Sequence, residues 1–85
     1  MAYRVQIKES ALKALKRLPR PIHVRAWEAI SDLADDPRPR GCRKLAGEED
    51  LWRIRIGNYR VVYQVLDAVL IVLVVRIAHR REVYR

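Results

Sequence analysis

Apolar and polar residues alternate with period two on both sides of Gly57-Asn58, first along Leu51-Trp52-Arg53-Ile54-Arg55-Ile56 and then along Tyr59-Arg60-Val61-Val62-Tyr63-Gln64-Val65. Alternation at that period marks half-buried strands, so the stretch predicts a hairpin. Gly-Asn is a favoured two-residue connection because both residues tolerate positive φ. The pattern also sorts the side chains. Trp52, Ile54 and Ile56 take one side of the first strand, while Leu51, Arg53 and Arg55 take the other. On the second strand Tyr59, Val61 and Tyr63 share a side, and Arg60, Val62 and Gln64 share its opposite. One face is thus fit for a core, and the other carries three arginines.

The flanking sequence supplies the cover for the apolar face. Tyr3 to Lys8 alternates and predicts a first strand with Tyr3, Val5 and Ile7 inward. A helix should start at Glu9-Ser10, with Ser10 as N-cap, and run through Leu12, Leu15 and Leu18 until Pro19 stops it. Pro21 suits the first position of a second helix. Its buried stripe would be Ile22, Ala26, Ile30 and Leu33, widened by Trp27 and Ala34 and closed by Asp35-Asp36-Pro37. Pro37 to Gly41 is the only linker-like stretch and is too short to separate domains, which predicts one domain over residues 1–85. Cys42 to Leu45 has the length of a short edge strand. After a weaker turn at Asp67-Ala68, Val69 to Ile77 reads as a nearly continuous apolar strand covered on both faces. The order β-α-α-β-β-β predicts an α+β fold, with a helical hairpin packed on one face of a small, mostly antiparallel sheet.

Charge changes the picture. Eighteen basic residues face ten acidic ones, a net charge of +8, and fourteen of the eighteen are arginines. Such an excess on 85 residues implies an anionic partner, nucleic acid ahead of a membrane surface. The apolar run Val69 to Val75 is far too short to span a bilayer, and the N-terminus lacks the apolar core of a signal peptide, so the expected location is the cytoplasm. Arg76 and Arg80, four apart on the last strand, would join Arg53, Arg55 and Arg60 on one surface if the strand stays regular. Like charges gathered this way repel, and no carboxylate in these strands is placed to neutralise them. A sheet surface of this kind suits a phosphate backbone. The tail adds His79, the side chain suited to proton exchange near neutral pH, Arg80 and Arg81 for phosphate, and Tyr84 for stacking on an unpaired base. No metal-ligand spacing, glycine-rich phosphate loop or supported nucleophile is present, so neither metal nor cofactor is expected.

The hairpin from Leu51 to Tyr63, the terminus His79-Arg80-Arg81-Glu82-Val83-Tyr84, the opening Met1 to Val5 and the segment Lys44-Leu45-Ala46-Gly47 together resemble the RelE branch of the RelE/ParE toxin superfamily. The resemblance spans essentially the whole chain. It implies a ribosome-dependent endoribonuclease that cuts mRNA in the A site, held in check by a RelB-like antitoxin. In that chemistry a 2′-hydroxyl attacks the adjacent phosphate, leaving a 2′,3′-cyclic phosphate and a free 5′-hydroxyl. By resemblance, Arg60 stabilises the transition state, Arg80 contacts the phosphate and acts as acid, and Tyr84 stacks on the base. Arg53 and Arg55 fall where some members carry lysines, one of them proposed as general base. Arginine is a very poor base. Arg55 is therefore expected to act electrostatically, with proton transfer passing to His79, and less readily to Glu82 or Glu48. Arg53, Arg55, Arg76 and Arg81 are expected to bind RNA. Two other readings compete: a non-enzymatic ParE-like toxin that poisons DNA gyrase, and a degenerate member that only binds nucleic acid or antitoxin.

Overall fold

In the computed structural model, residues 3–45, 47, 50–79 and 81 are described. The central hairpin is formed by β3 (Leu51–Ile56) and β4 (Tyr59–Leu66), paired antiparallel from Ile56 opposite Tyr59 to Leu51 opposite Gln64. The turn differs from expectation in one respect. Gly57 alone takes positive φ, +60°, and Asn58 stays in the negative region. Glycine first with an ordinary second residue is the pattern of a II′ turn, whose twist also suits a hairpin.

Before the hairpin lie β1 (Arg4–Ile7), α1 (Glu9–Arg17), α2 (Arg20–Asp32) and the two-residue β2 (Arg43–Lys44); after it comes β5 (Ile71–His79). The sheet order is β1-β5-β4-β3-β2, with β1 parallel to β5 and every other pair antiparallel. The proposed edge strand is real but narrower than Cys42 to Leu45. Both helices lie on one side of the sheet, α1 over β5 and α2 against β3. Ala11, Leu15, Ala26, Ile30 and Leu33 meet Ile54, Ile56, Val61, Tyr63, Val65, Val72, Val74 and Ile77 in a continuous core.

Ser10 is not the N-cap. The Lys8 amide donates to the Val74 carbonyl at 2.8 Å, so the sheet holds the chain through Lys8, and Lys8 itself caps α1 without a side-chain bond. Similarly Pro19 caps α2, and Pro21 sits one residue inside it. Trp27 does not widen the buried stripe: it is 50% exposed. At about 100° per residue it stands on the flank of the row Ile22-Ala26-Ile30, beside the outward Val24. The last strand begins at Ile71 rather than Val69. Val69 and Leu70 belong to the β4–β5 turn and are exposed, with Leu70 at φ +55°.

β5 also contains an irregularity that alternation could not reveal. Val62 faces Arg76, but Tyr63 faces Val74, so Val75 is an extra residue, a β-bulge. Before it Val72 and Val74 point to the helices; after it Ile77 does. The bulge shifts the phase by one and sends Arg76 to the open face.

The linker after α2 is tied down from three sides. Tyr63, fully buried, donates its hydroxyl to the Pro37 carbonyl at 2.7 Å, and burial, with Cys42 nearby, raises its pKa well above the ordinary value. Arg38 lies over the Trp52 ring, 5.2 Å from its centroid, and makes a two-armed contact with Asp67, 2.7 Å on the shorter arm. The Tyr3 hydroxyl donates to the same carboxylate at 2.5 Å. Arg38 first and Tyr3 second hold the Asp67 carboxyl below its ordinary pKa of 3.8. This clip therefore stabilises the fold above that value and loses its contribution as pH falls through the lowered one.

Two outcomes follow from these contacts. Gly57→Ala places a Cβ 3.3 Å from the Ile22 Cδ1 in a left-handed backbone, and should cost about 1–2 kcal/mol, read as a drop in thermal midpoint. Asp67→Asn should melt below wild type at pH 7, and the two melting curves should converge in acid, below the ordinary carboxylate range. A difference independent of pH would show that the carboxylate charge is not what holds the linker.

Candidate nucleic-acid interface

The face of the sheet away from the helices is organised by register. Strand partners share a face, so Arg43, Arg53, Val62 and Arg76 form one row across β2, β3, β4 and β5. The next row is Arg55, Arg60 and Ala78. Partners in such rows sit about 5 Å apart at Cα. Two of the pairs, Arg43 with Arg53 and Arg55 with Arg60, set like charges directly opposite one another. None of the five strands contains an aspartate or glutamate.

Arg60 stands at the centre. Its strand has neighbours on both sides, and the residue is only 6% exposed, with Nε fully buried. The residue also has an interaction partner in the fold, and its burial fits a guanidinium held in place rather than a freely solvated arm. Arg53 is half-buried, while Arg43, Arg55 and Arg76 are exposed. The arrangement amounts to fixed positive charge with forked donors at the rim of a central, buried arginine. It can bind phosphate bidentately and stabilise extra negative charge on it. Among the described residues of these rows, none is able to take a proton near neutral pH.

The expected tail residues divide. His79 is not on the arginine face: it is registered opposite Tyr59, on the helix side, and its ring meets the Tyr59 ring edge-on at 5.4 Å. The reason is parity, since Arg76 and Ala78 take the open side after the bulge. The His79 Nδ1 accepts the Arg81 amide at 3.3 Å, and Arg81 itself is exposed just beyond β5. Arg80, Tyr84, Glu82 and Glu48 lie outside the described residues. Sequence reasoning missed Arg43; its signal was present, as it falls out of phase with Cys42, which packs against the core. Among the described residues no group of three His, Cys, Asp or Glu side chains could hold a metal ion, and no helix is long and apolar enough to cross a membrane.

Comparison with known proteins gives this face a context. Residues 5–84 match the family described as ParE toxin of type II toxin-antitoxin system, parDE. The chain is 32% identical to the mRNA interferase toxin RelE of Escherichia coli K12, covering 99% of this chain and 92% of that one. It is 34% identical to the toxin RelG of Mycobacterium tuberculosis, over 100% and 99% of the two chains. In structure it superposes on the archaeal RelE-RelB complex from Pyrococcus horikoshii with a TM-score of 0.84 and 35% identity, covering 94% of this chain and 97% of that one. By sequence and by fold, the chain belongs to the RelE/ParE superfamily of type II toxin–antitoxin toxins, and to its RelE-type branch.

Proposed function

We propose that this protein is a ribosome-dependent endoribonuclease toxin that cleaves mRNA in the A site and so inhibits translation. The observation that carries the reading is the pair of arginine rows on the open sheet face, with like charges in register and a buried arginine at their centre. That arrangement is costly in the free protein and is relieved by a polyanion. The relatives named as mRNA interferases supply the polyanion's identity.

In the proposed reaction the substrate's 2′-oxygen bonds to phosphorus as the bond from phosphorus to the 5′-oxygen breaks. The 2′-hydroxyl loses its proton, and the departing 5′-oxygen gains one. Arg60 stabilises the added charge on the phosphorane, and Arg53, Arg55 and Arg76 hold the backbone. At the tail Arg80 donates hydrogen bonds to the phosphate and Tyr84 stacks on the base, with Arg81 as a further phosphate contact. His79 faces away from Arg60 and Arg76, so no proton step is routed through it here. Guanidinium groups position and stabilise but do not deprotonate, which fits a reaction that needs the ribosome to orient the attacking hydroxyl. A RelB-like antitoxin is the proposed partner, since solved relatives are RelE-RelB complexes. The proposed location is the cytoplasm, with the ribosomes.

The family description's reference to ParE favours a second reading, a non-enzymatic toxin acting on DNA gyrase. Purified protein with programmed ribosomes, and with naked mRNA, separates the two. We expect cutting only with ribosomes, and a loss of about 100- to 1000-fold in Arg60→Ala and in Arg80→Ala, with Arg60→Lys intermediate. Inhibition of gyrase supercoiling without mRNA cleavage would replace this reading by the second. The electrostatic argument has its own test. Arg53→Thr removes one of two facing charges, so it should stabilise the free protein by about 0.2–1 kcal/mol while weakening RNA binding. Loss of stability in that variant would mean the rows are not under repulsion.

A further inference from the structure

We infer that Arg43 is a binding residue for the RNA backbone, extending the substrate track beyond the central arginines to the β2 edge of the sheet; this rests on the nuclease reading above. Arg43 faces Arg53 in the antiparallel register of β2 and β3, which puts it on the open face. The neighbouring residues agree with that phase, because Cys42 packs against the core and Lys44 is paired with Trp52 on the helix side. The row therefore runs perpendicular to the strands, with charges at its β2, β3 and β5 positions and the short, buried Val62 between the last two.

Arg43 lies two strands from Arg60, about 10 Å across the sheet. It therefore contacts a phosphate beside the one that reacts and is a positioning residue, not a catalytic one. Charge on a short edge strand has a simpler use, since it discourages edge-to-edge pairing with other chains. That use explains an exposed cation at the edge. It gives no reason for the cation to stand opposite another arginine, where repulsion destabilises the pair.

The test compares full-length wild type with Arg43→Gln, Arg43→Lys, Arg53→Gln and, as a control on the outer side of α1, Lys13→Gln. Binding to a single-stranded RNA oligonucleotide is followed against salt, and kcat and KM are measured on programmed ribosomes. Arg43→Gln should lower the salt slope by ~0.7, about a fivefold effect across a tenfold range of salt. It should also raise KM with kcat unchanged, and Arg43→Lys should restore the slope. An unchanged slope in Arg43→Gln alongside a lowered one in Arg53→Gln overturns the inference and leaves the nuclease reading standing. A raised KM with unaltered binding to free RNA also overturns it, because the contact would then be to ribosomal RNA. If Arg53→Gln has no effect on either readout, the arginine face as a whole is not the RNA site.

Discussion

β4 has to serve two surfaces at once. Four consecutive residues, Arg60 to Tyr63, are buried, although a strand turns alternate side chains in opposite directions. Val61 and Tyr63 fill the core beneath the helices, while Arg60 and Val62 form the floor of the open face. The two roles constrain each other. A strand flanked on both sides by β3 and β5 cannot shift without moving core residues off their helix contacts, so Arg60 is held as firmly as the core is packed. Tyr63 extends the same rigidity to the linker through its bond to Pro37. Arg38 and Asp67 then fasten that linker to the far end of β4. The open face is thus a rigid plate whose stiffness comes from the opposite side.

On that plate, like charges in register work against folding and would favour the binding of an anion. Arg43 with Arg53 and Arg55 with Arg60 are registered as like-charged pairs, an arrangement that by itself disfavours the pairing. A phosphate chain laid across them removes the repulsion and gains forked hydrogen bonds in the same step. The small core built from the helices and the other face has to carry the deficit until then. Such a division, with stability on one side and strain on the other, is how a domain of 85 residues can keep a strongly basic surface preorganised.

Much of this was legible from the chain. Period-two alternation gave the hairpin and placed Arg53, Arg55 and Arg60 together, because phase within a regular strand depends only on sequence. The helices were likewise readable from Leu15, Ala26, Ile30 and Leu33. Alternation failed where the backbone departs from regularity or where distant residues meet. The bulge at Val75 sits in an apolar run with no polar marker of phase, so alternation carried through from Val72 and Val74 does not reveal which way Arg76 points; once Arg76 faces outward, His79 follows to the helix side by parity. The contact of Arg38 with Trp52 and Asp67 joins positions far apart in the chain. Trp27 was misassigned because hydrophobicity alone does not separate the centre of a helical stripe from its flank. Arg43 was overlooked because a two-residue strand is too short for its alternation to stand out.

The extra residue in β5 has a meaning for how this domain can change over generations. Most strand positions tolerate replacement of one side chain by another, with effects confined to that position. Around Val75 the quantity that can vary is residue count. A chain lacking Val75 would set Val74 and Arg76 as consecutive residues opposite Tyr63 and Val62, so Ile77 would still meet the helices and Arg76 the open face. The extra residue is thus a spare length: the strand can lose one position at the bulge and keep both of its surfaces. A deletion in a regular strand such as β3 has no such reserve and turns every later side chain to the other face.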